Sequence, residues 1–375
     1  MTAHTPDDSG DERRARAILT HLAEPGDSRM GRILRELPAA EVLRILTDGG
    51  SLPDTDDTRT AAYRSRLGGV PADAGLDRCG ELDGRFVIPG DPEWPTQLDD
   101  LQDARPFGLW VRGTGSLRLH ALRSVAVVGA RACTDYGAHV AAQLGAELTE
   151  AGWTVVSGMA YGVDAAAHRG AIAAGGPTVA VLACGVDTPY PRAHTTLMDG
   201  ILSAGLVVSE LPLAYHPTRA RFVLRNRTIA ALTRGTVVVE AALRSGASVT
   251  ARNARELGRF QMACPGPVTS ALSSGTHRLI RDGAVLVTSA ADVIELIGRI
   301  GVDLAPEPAA SPPRLTDLLE PTTLRVLEAL PAHGSTEPVQ ITVATGVEEG
   351  EVLRCLHELA ALGCVIRQGR VWRLS

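Results

Sequence analysis

The chain has 375 residues, of which 45% are apolar, enough to build the cores of two or three domains. Its formal net charge is −6, all 37 basic residues are arginine, and aromatic residues are only 3%, which argues against a stacking surface built from many rings. The six cysteines form no C-x-x-C pair and no apolar run could span a bilayer. We therefore expect a cytoplasmic protein with no membrane association, metal site or cofactor.

The N-terminal part predicts a small helical domain. Residues 1–12 are polar and acidic and are predicted to form a disordered tail. Between residues 13 and 46, apolar side chains recur at helical spacing, and a weaker pattern covers residues 58–80 after a Gly/Asp-rich break. We assign residues 13–80 to this helical domain. A Pro-rich extended segment follows at 87–101.

The central part, assigned to residues 85–300, predicts an α/β domain. Short β-branched runs alternate with Ala-rich helical stretches of roughly 12 to 20 residues, which is typical of a doubly wound parallel sheet. The predicted strands are residues 124–128, 154–157, 178–182, 206–209, 236–240 and 261–263.

The C-terminal part, residues 314–375, predicts a winged helix that follows a Pro/Ala linker at 303–313. Helices are expected at 316–330, 339–345 and 348–362, and strands at 364–366 and 371–374. The third helix carries four glutamates and one arginine, so the phosphates that line a duplex groove would repel it. We favour a regulatory or protein-contact role for this domain.

Residues 219–259, called here the arginine block, contain nine arginines and two glutamates, a local net charge of +7. The predicted strand 236–240 lies inside the block, so the block belongs to a folded sheet and is not a basic tail. Such a concentration of positive charge indicates a polyanion site. The alternative is a solvated helix face that carries arginines.

Three Gly-rich turns follow predicted strands, where helix N-termini can bind phosphate. In the first turn, Arg131 projects outward and the next helix is expected to offer free N–H groups to a phosphate. No G-x-G-x-x-G motif is present, which disfavours a dinucleotide cofactor. The predicted phosphate-binding residues are Gly129, Ser157, Gly158, Ser245, Gly246 and Thr250.

The motifs VVGARACTDYG, SGMAYGVDAAAH, GVDTPYPRAH, FVLRNRTIAAL and VVEAALRSGASVTARNARELGR follow one another in this order. Together they resemble the DNA-processing protein A (DprA/Smf) family over roughly residues 85–290. The resemblance implies an extended Rossmann-like sheet between an N-terminal SAM-like domain and a C-terminal winged helix. It also implies a non-catalytic homodimer that binds and protects single-stranded DNA and loads the RecA recombinase during natural transformation.

The same resemblance implies which arginines contact DNA. Arg131 stands in the G-x-R motif, Arg192 in YPRAH, and Arg225 and Arg227 in the R-N-R motif. With their neighbours in the arginine block, the predicted DNA-binding residues are Arg131, Arg192, Arg219, Arg221, Arg225, Arg227 and Arg244. Two positions depart from the family pattern: Val223 replaces a proline, and His277 replaces an asparagine.

A nucleotide-binding or nucleoside-phosphate-hydrolysing protein of a related Rossmann-like superfamily is the alternative function. The candidate titratable residues are Asp164, His168, Asp187, His194, Glu210 and Glu240. Glu240 ends a predicted strand, as a glutamate does in the related phosphoribohydrolases, but their P-G-G-x-G-T loop is absent. Asp164 and His168 are four residues apart on one predicted helix and are expected to form a structural salt bridge. We therefore predict no catalytic residue.

Overall fold

A computed structural model describes residues 6–299, residue 303 and residues 318–375. The chain divides into two compact units, residues 1–306 and 307–375. The larger unit contains the N-terminal helices and the sheet, packed around shared hydrophobic clusters. No helix in the described ranges is both long enough and apolar enough to cross a membrane.

Five helices open the chain. They are α1 (Pro6–Leu22), α2 (Ser28–Glu36), α3 (Ala39–Thr47), α4 (Asp57–Leu67) and α5 (Leu76–Glu81). The predicted disordered tail is wrong for residues 6–12, because α1 begins at Pro6, while residues 1–5 lie outside the described residues. The Glu12 carboxylate accepts hydrogen bonds from Arg16 (2.7 Å) and from the Ala40 amide (3.2 Å). These bonds tie the first turns of α1 to α3.

The central sheet has nine strands in the order β1-β2-β6-β5-β4-β3-β7-β8-β9. The strands are β1 (Gly84–Val87), β2 (Leu109–Gly113), β3 (Ser124–Val128), β4 (Thr154–Ser157), β5 (Thr178–Val181), β6 (Leu206–Ser209), β7 (Gly235–Val238), β8 (Phe260–Ala263) and β9 (Val285–Leu286). Strands β3 to β9 are mutually parallel, whereas β1 and β2 add at one edge in antiparallel fashion. The predicted α/β fold with a large, mostly parallel sheet is confirmed.

Helices cover both faces of the sheet, which is why β3 to β7 are buried at every position. They are α6 (Leu117–Leu122), α7 (Asp135–Glu150), α8 (Val163–Ala173), α9 (Thr195–Ala204), α10 (Arg219–Leu232), α11 (Gly246–Glu256), α12 (Ser274–Arg281) and α13 (Ala290–Ile297), with 3-10 helices at Thr96–Ala104 and Arg192–His194. The strand order reverses between β3 and β7. Doubly wound sheets bind their ligands at such a switch point, beyond the carboxyl ends of the strands.

The smaller unit contains α14 (Pro321–Glu328), α15 (Pro338–Thr345), α16 (Glu349–Ala361) and an antiparallel hairpin of β10 (Val365–Gln368) and β11 (Val371–Leu374). Its order of three helices and a hairpin is the one predicted from the sequence. Trp372 is buried among apolar side chains of all three helices. The predicted linker lies outside the described residues except for Asp303, which pairs with Arg123 (2.8 Å) in the larger unit.

Candidate nucleic-acid interface

A cavity of about 630 Å³ lies at the switch point between β3 and β7. Its walls come from the turn after β3 and from the N-terminal ends of α10 and α11, so they join parts of the chain more than 100 residues apart in sequence. The lining includes Gly129, Arg131, Tyr190, Thr218, Arg219, Phe222, Val223, Arg225, Asn226, Ser245, Gly246 and Thr250. Helix α10, which carries the R-N-R motif, thus forms part of the wall of this cavity.

One wall of the cavity pairs a cation with an aromatic ring. The exposed Arg131 guanidinium lies 4.4 Å from the centroid of the Phe222 ring, and the Tyr190 ring is 5.6 Å from Phe222. Val223, which replaces the family proline, lies within α10 and is 50% exposed at the cavity. The sequence analysis predicted Arg131 of this wall but did not identify Tyr190.

Two helix N-termini point their N–H groups toward the cavity. The Thr218 side chain caps α10 by accepting a hydrogen bond from the Arg221 amide (3.2 Å), and Ser245 caps α11 by accepting from the Ala247 amide (3.2 Å). Neither helix has an acidic residue in its first turn. Because a helix N-terminus carries partial positive charge, both ends attract phosphate. Gly129, Ser245, Gly246 and Thr250 line the cavity, as a phosphate-binding role requires.

Ser157 and Gly158, in contrast, cannot face a phosphate, and their prediction as phosphate-binding residues is wrong. The buried Ser157 hydroxyl donates to the Val127 carbonyl (2.6 Å). The Gly158 amide donates to Asp164 (3.2 Å) and its carbonyl accepts from Arg225 (2.9 Å). A Cβ atom on Gly158 would overlap the Arg225 guanidinium. Glycine is therefore needed here for close packing.

Arg225 forms the floor of the cavity and is only 6% exposed. Its guanidinium donates to the carbonyl oxygens of Gly158 (2.9 Å) and Val181. Burial lowers the pKa of Arg225 to about 10, while the nearby Asp164 carboxylate opposes that shift, so the side chain stays protonated at neutral pH. Arg225 was predicted to contact DNA, and this stays a prediction. One guanidinium nitrogen donates to buried carbonyl groups and Nε donates to Asn226 Oδ1 (3.2 Å), so part of the side chain is used inside the protein although it lines the cavity.

Arg221 and Arg227 lie outside the cavity lining and pair with carboxylates of the same chain. Arg221 pairs with Glu24 (2.6 Å), which follows α1. Arg227 is nearly buried against Gly26 and pairs with Glu210 (2.5 Å). These two ion pairs anchor the back of α10 to the rest of the larger unit. The structure does not bring either residue to the cavity as a DNA contact.

Four predicted arginines are exposed and make no ion pair in the described part of the chain. Arg131 and Arg219 line the cavity. Arg192, which begins the 3-10 helix Arg192–His194, and Arg244, which lies on a loop, are outside its lining. We call these four residues the free arginines: Arg131, Arg192, Arg219 and Arg244. Because no carboxylate among the described residues pairs with them, these guanidinium groups remain available to an anionic ligand.

The candidate titratable residues form no acid–base pair. Asp164 and His168 do not form the predicted salt bridge, because Asp164 accepts from the amides of Gly158 (3.2 Å) and Ala160 (3.4 Å). The His168 ring lies 2.7 Å from the Thr178 hydroxyl, and burial lowers its pKa to about 3, which keeps it neutral. The other candidates are also hydrogen-bonded within the protein. Asp187 accepts from the Ala214 amide, the His194 ring bonds to the Met159 carbonyl, and Glu210 accepts from Arg227 and Thr228.

Glu240 lies at the N-terminus of α7, the helix that we expected to bind phosphate. Its carboxylate is 1% exposed and accepts hydrogen bonds from the amide (2.9 Å) and the hydroxyl (2.6 Å) of Thr134, the N-cap residue of α7. We expected α7 to offer free N–H groups to a phosphate, but the negative charge of Glu240 beside its N-cap residue disfavours an anion there. An internal carboxylate already lies at that N-terminus.

Comparison with known proteins places this chain in one family. A family model described as "DNA recombination-mediator protein A" matches residues 85–298. A protein of Mycobacterium tuberculosis described as a DNA processing protein DprA is 42% identical over 96% of this chain and 94% of its own length.

Two solved structures are similar. The X-ray structure of DNA processing protein A from Streptococcus pneumoniae matches with a TM-score of 0.61 and 32% identity, covering 80% of this chain and 100% of that one. A structure of DNA processing protein A from Helicobacter pylori, which concerns its single-stranded DNA binding mode, matches with a TM-score of 0.51 and 28% identity. It covers 56% of this chain and 94% of its own.

Proposed function

The chain belongs to the DNA recombination-mediator protein A family, and from this premise we propose that it binds single-stranded DNA at the cavity between β3 and β7. One observation carries the proposal: two of the free arginines and two helix N-termini without first-turn acids converge on the same cavity. Guanidinium groups and helix N-termini are the groups that bind phosphate oxygens. The single-stranded DNA described for the Helicobacter pylori relative supports the same ligand class.

The shape of the site favours a single strand over a duplex. The phosphate-binding groups line a recess rather than a helix or ribbon that could enter a groove. A flexible strand can turn its phosphates into such a recess and place a base against Phe222, beside Arg131. Contacts to phosphate position nucleic acid without reading its sequence. We therefore propose binding with little sequence preference.

The finer features implied by the family are also proposals for this chain. We propose a cytoplasmic homodimer that protects incoming strands and loads RecA in natural transformation, with no catalytic activity. We also propose a SAM-like fold for residues 13–80 and a winged helix for residues 314–375. Among the described residues no group of three His, Cys, Asp or Glu side chains could hold a metal ion. Light scattering tests the dimer, and RecA strand-exchange assays test loading.

We expect tighter binding to a single-stranded oligonucleotide than to a blunt duplex of the same sequence. If the four free arginines each neutralise one phosphate, the log–log salt slope for the single strand should be about −3. Fluorescence anisotropy across a salt series measures both quantities. Equal affinity for the two forms at moderate salt would refute the single-strand assignment. Turnover of a nucleotide with a shallow salt slope would support the nucleotide-hydrolysing alternative instead.

We expect removal of residues 304–375 to change single-strand affinity only by a few-fold. The cavity lies wholly within the larger unit, and α16 begins with Glu349 and Glu351, which repel phosphate. The truncation keeps Asp303, because its carboxylate pairs with Arg123 and accepts from the Arg299 amide. Anisotropy titration and thermal melting of both proteins test this. A loss of affinity above about tenfold (about 1.4 kcal/mol) at an unchanged melting temperature would assign the C-terminal domain to the DNA site.

A further inference from the structure

The N-terminus of α7 is closed by a carboxylate from a distant part of the chain. Glu240 follows β7, and its side chain receives the Thr134 amide and hydroxyl, while the Thr134 oxygen accepts from the Gly137 amide (3.2 Å). This arrangement resembles a capping box, except that the acidic residue follows β7 instead of lying in the first turn of the helix. The Glu240 main chain is also fixed, because its carbonyl accepts from the Ala130 amide (2.7 Å).

The carboxylate of Glu240 is seated directly against the backbone of α7. A Cβ atom on Gly137, in the first turn of this helix, would overlap Glu240 Oε2. At 1% exposure the carboxylate has no ion-pair partner among the described residues. Its negative charge is therefore balanced by N–H and O–H donors at the positive end of α7.

In many doubly wound sheets the helix N-terminus at the position of α7 binds phosphate. The helix that follows the first strand beside the switch point holds the pyrophosphate of a dinucleotide at its N-terminus. Here that strand is β3 and that helix is α7. Glu240 thus places its own carboxylate where a nucleotide phosphate would bind in such a sheet.

Four of the helix N-termini at this edge fall into two classes. Helices α7 and α8 carry acids in their first turns, Asp135 and Asp164, and α7 also has Glu240. Helices α10 and α11 carry none and are capped by the neutral hydroxyls of Thr218 and Ser245. Acids therefore lie at the N-termini of α7 and α8, whereas those of α10 and α11 attract anions. Asp164 of α8 also lies in the cavity lining, where its carboxylate accepts from the Gly158 and Ala160 amides.

We propose that Glu240 is a specificity residue that closes the nucleotide-phosphate position on α7. The phosphates of a strand are then held only by α10, α11 and the free arginines. That assignment of the strand phosphates rests on the proposed function, whereas the role of Glu240 at the N-terminus of α7 does not. Removing the carboxylate should uncover a latent anion site at Thr134 and Gly137.

Thermal melting with inorganic phosphate tests the proposal on the full chain. Glu240→Ala removes the carboxylate, and Glu240→Gln keeps its shape, so the glutamine variant reports any shift that phosphate causes through the arginines alone. Sodium chloride at equal ionic strength is the reference. We expect phosphate to raise the melting temperature of Glu240→Ala by about 3 °C more than that of Glu240→Gln or of the unsubstituted chain.

Equal phosphate shifts in the three proteins would overturn the proposal. If Glu240→Ala does not fold, Glu240→Ser opens the same position and carries the same comparison. Thr134→Val is a further control, because it disrupts the cap but leaves the carboxylate in place, and it should melt lower without an added phosphate response. Since the readout is melting temperature, failure here is distinguishable from a failure to bind single-stranded DNA.

Discussion

Replacing Arg225 with alanine is expected to lower the free energy of unfolding by about 3–5 kcal/mol, which would exceed the effect of any exposed arginine in the block. The change leaves the carbonyl oxygens of Gly158 and Val181 without their buried donor. It also removes the positive charge that opposes the burial-driven rise in the pKa of Asp164. Asp164 would then take up a proton more readily, which limits the loss but does not restore the missing donors.

Urea denaturation of Arg225→Ala measures this loss, with Arg219→Ala as the matched control. Arg219 lies on the same helix but is exposed and makes no ion pair in the described ranges. Its replacement should change the free energy of unfolding by no more than about 0.5 kcal/mol. If the two variants unfold at the same urea concentration, Arg225 is not the structural floor of the cavity described above. Weak DNA binding by Arg225→Ala would then reflect a direct contact.

The sheet could be predicted from the sequence because its parallel strands are short apolar runs buried on both faces. All six predicted strands are present, and their ends differ from the prediction by at most a few residues. The three missed strands lack that signal: β1 and β2 flank a Pro-rich segment, and β9 is two residues long. Their pairing is decided by contacts with neighbouring strands, which no local pattern records.

The direction of each arginine side chain could not be predicted in the same way. The net charge of the arginine block predicts a polyanion site, but it does not show that the four arginines of α10 have different surroundings. Arg221 pairs with Glu24, which is 197 residues away, and Arg227 pairs with Glu210. Glu240 likewise reaches Thr134 across 106 residues. Such pairings are set by the packing of the helices on the sheet, so they become visible only in the folded chain.

The double variant Arg131→Ala with Arg219→Ala is expected to lose single-strand affinity by about 100-fold or more at low salt. Each charge-assisted hydrogen bond to phosphate contributes about 1.5–3 kcal/mol. The salt slope should become shallower by about 1.4, because each phosphate contact to a single strand contributes about 0.7. The melting temperature should stay nearly constant, since both side chains are exposed and unpaired within the described residues.

Arg252→Ala with Arg255→Ala is the matched control for this double variant. Both residues lie on α11 within the arginine block, are exposed, and are absent from the lining of the cavity. The control also removes two positive charges, and the exposed Arg252–Glu256 pair (3.8 Å) is weak. It therefore measures the long-range electrostatic effect, which salt screens over about 8–10 Å. A much smaller loss in the control locates the site at the cavity. Equal losses in the two double variants would mean that the strand follows the whole basic surface and that the cavity is not its binding site.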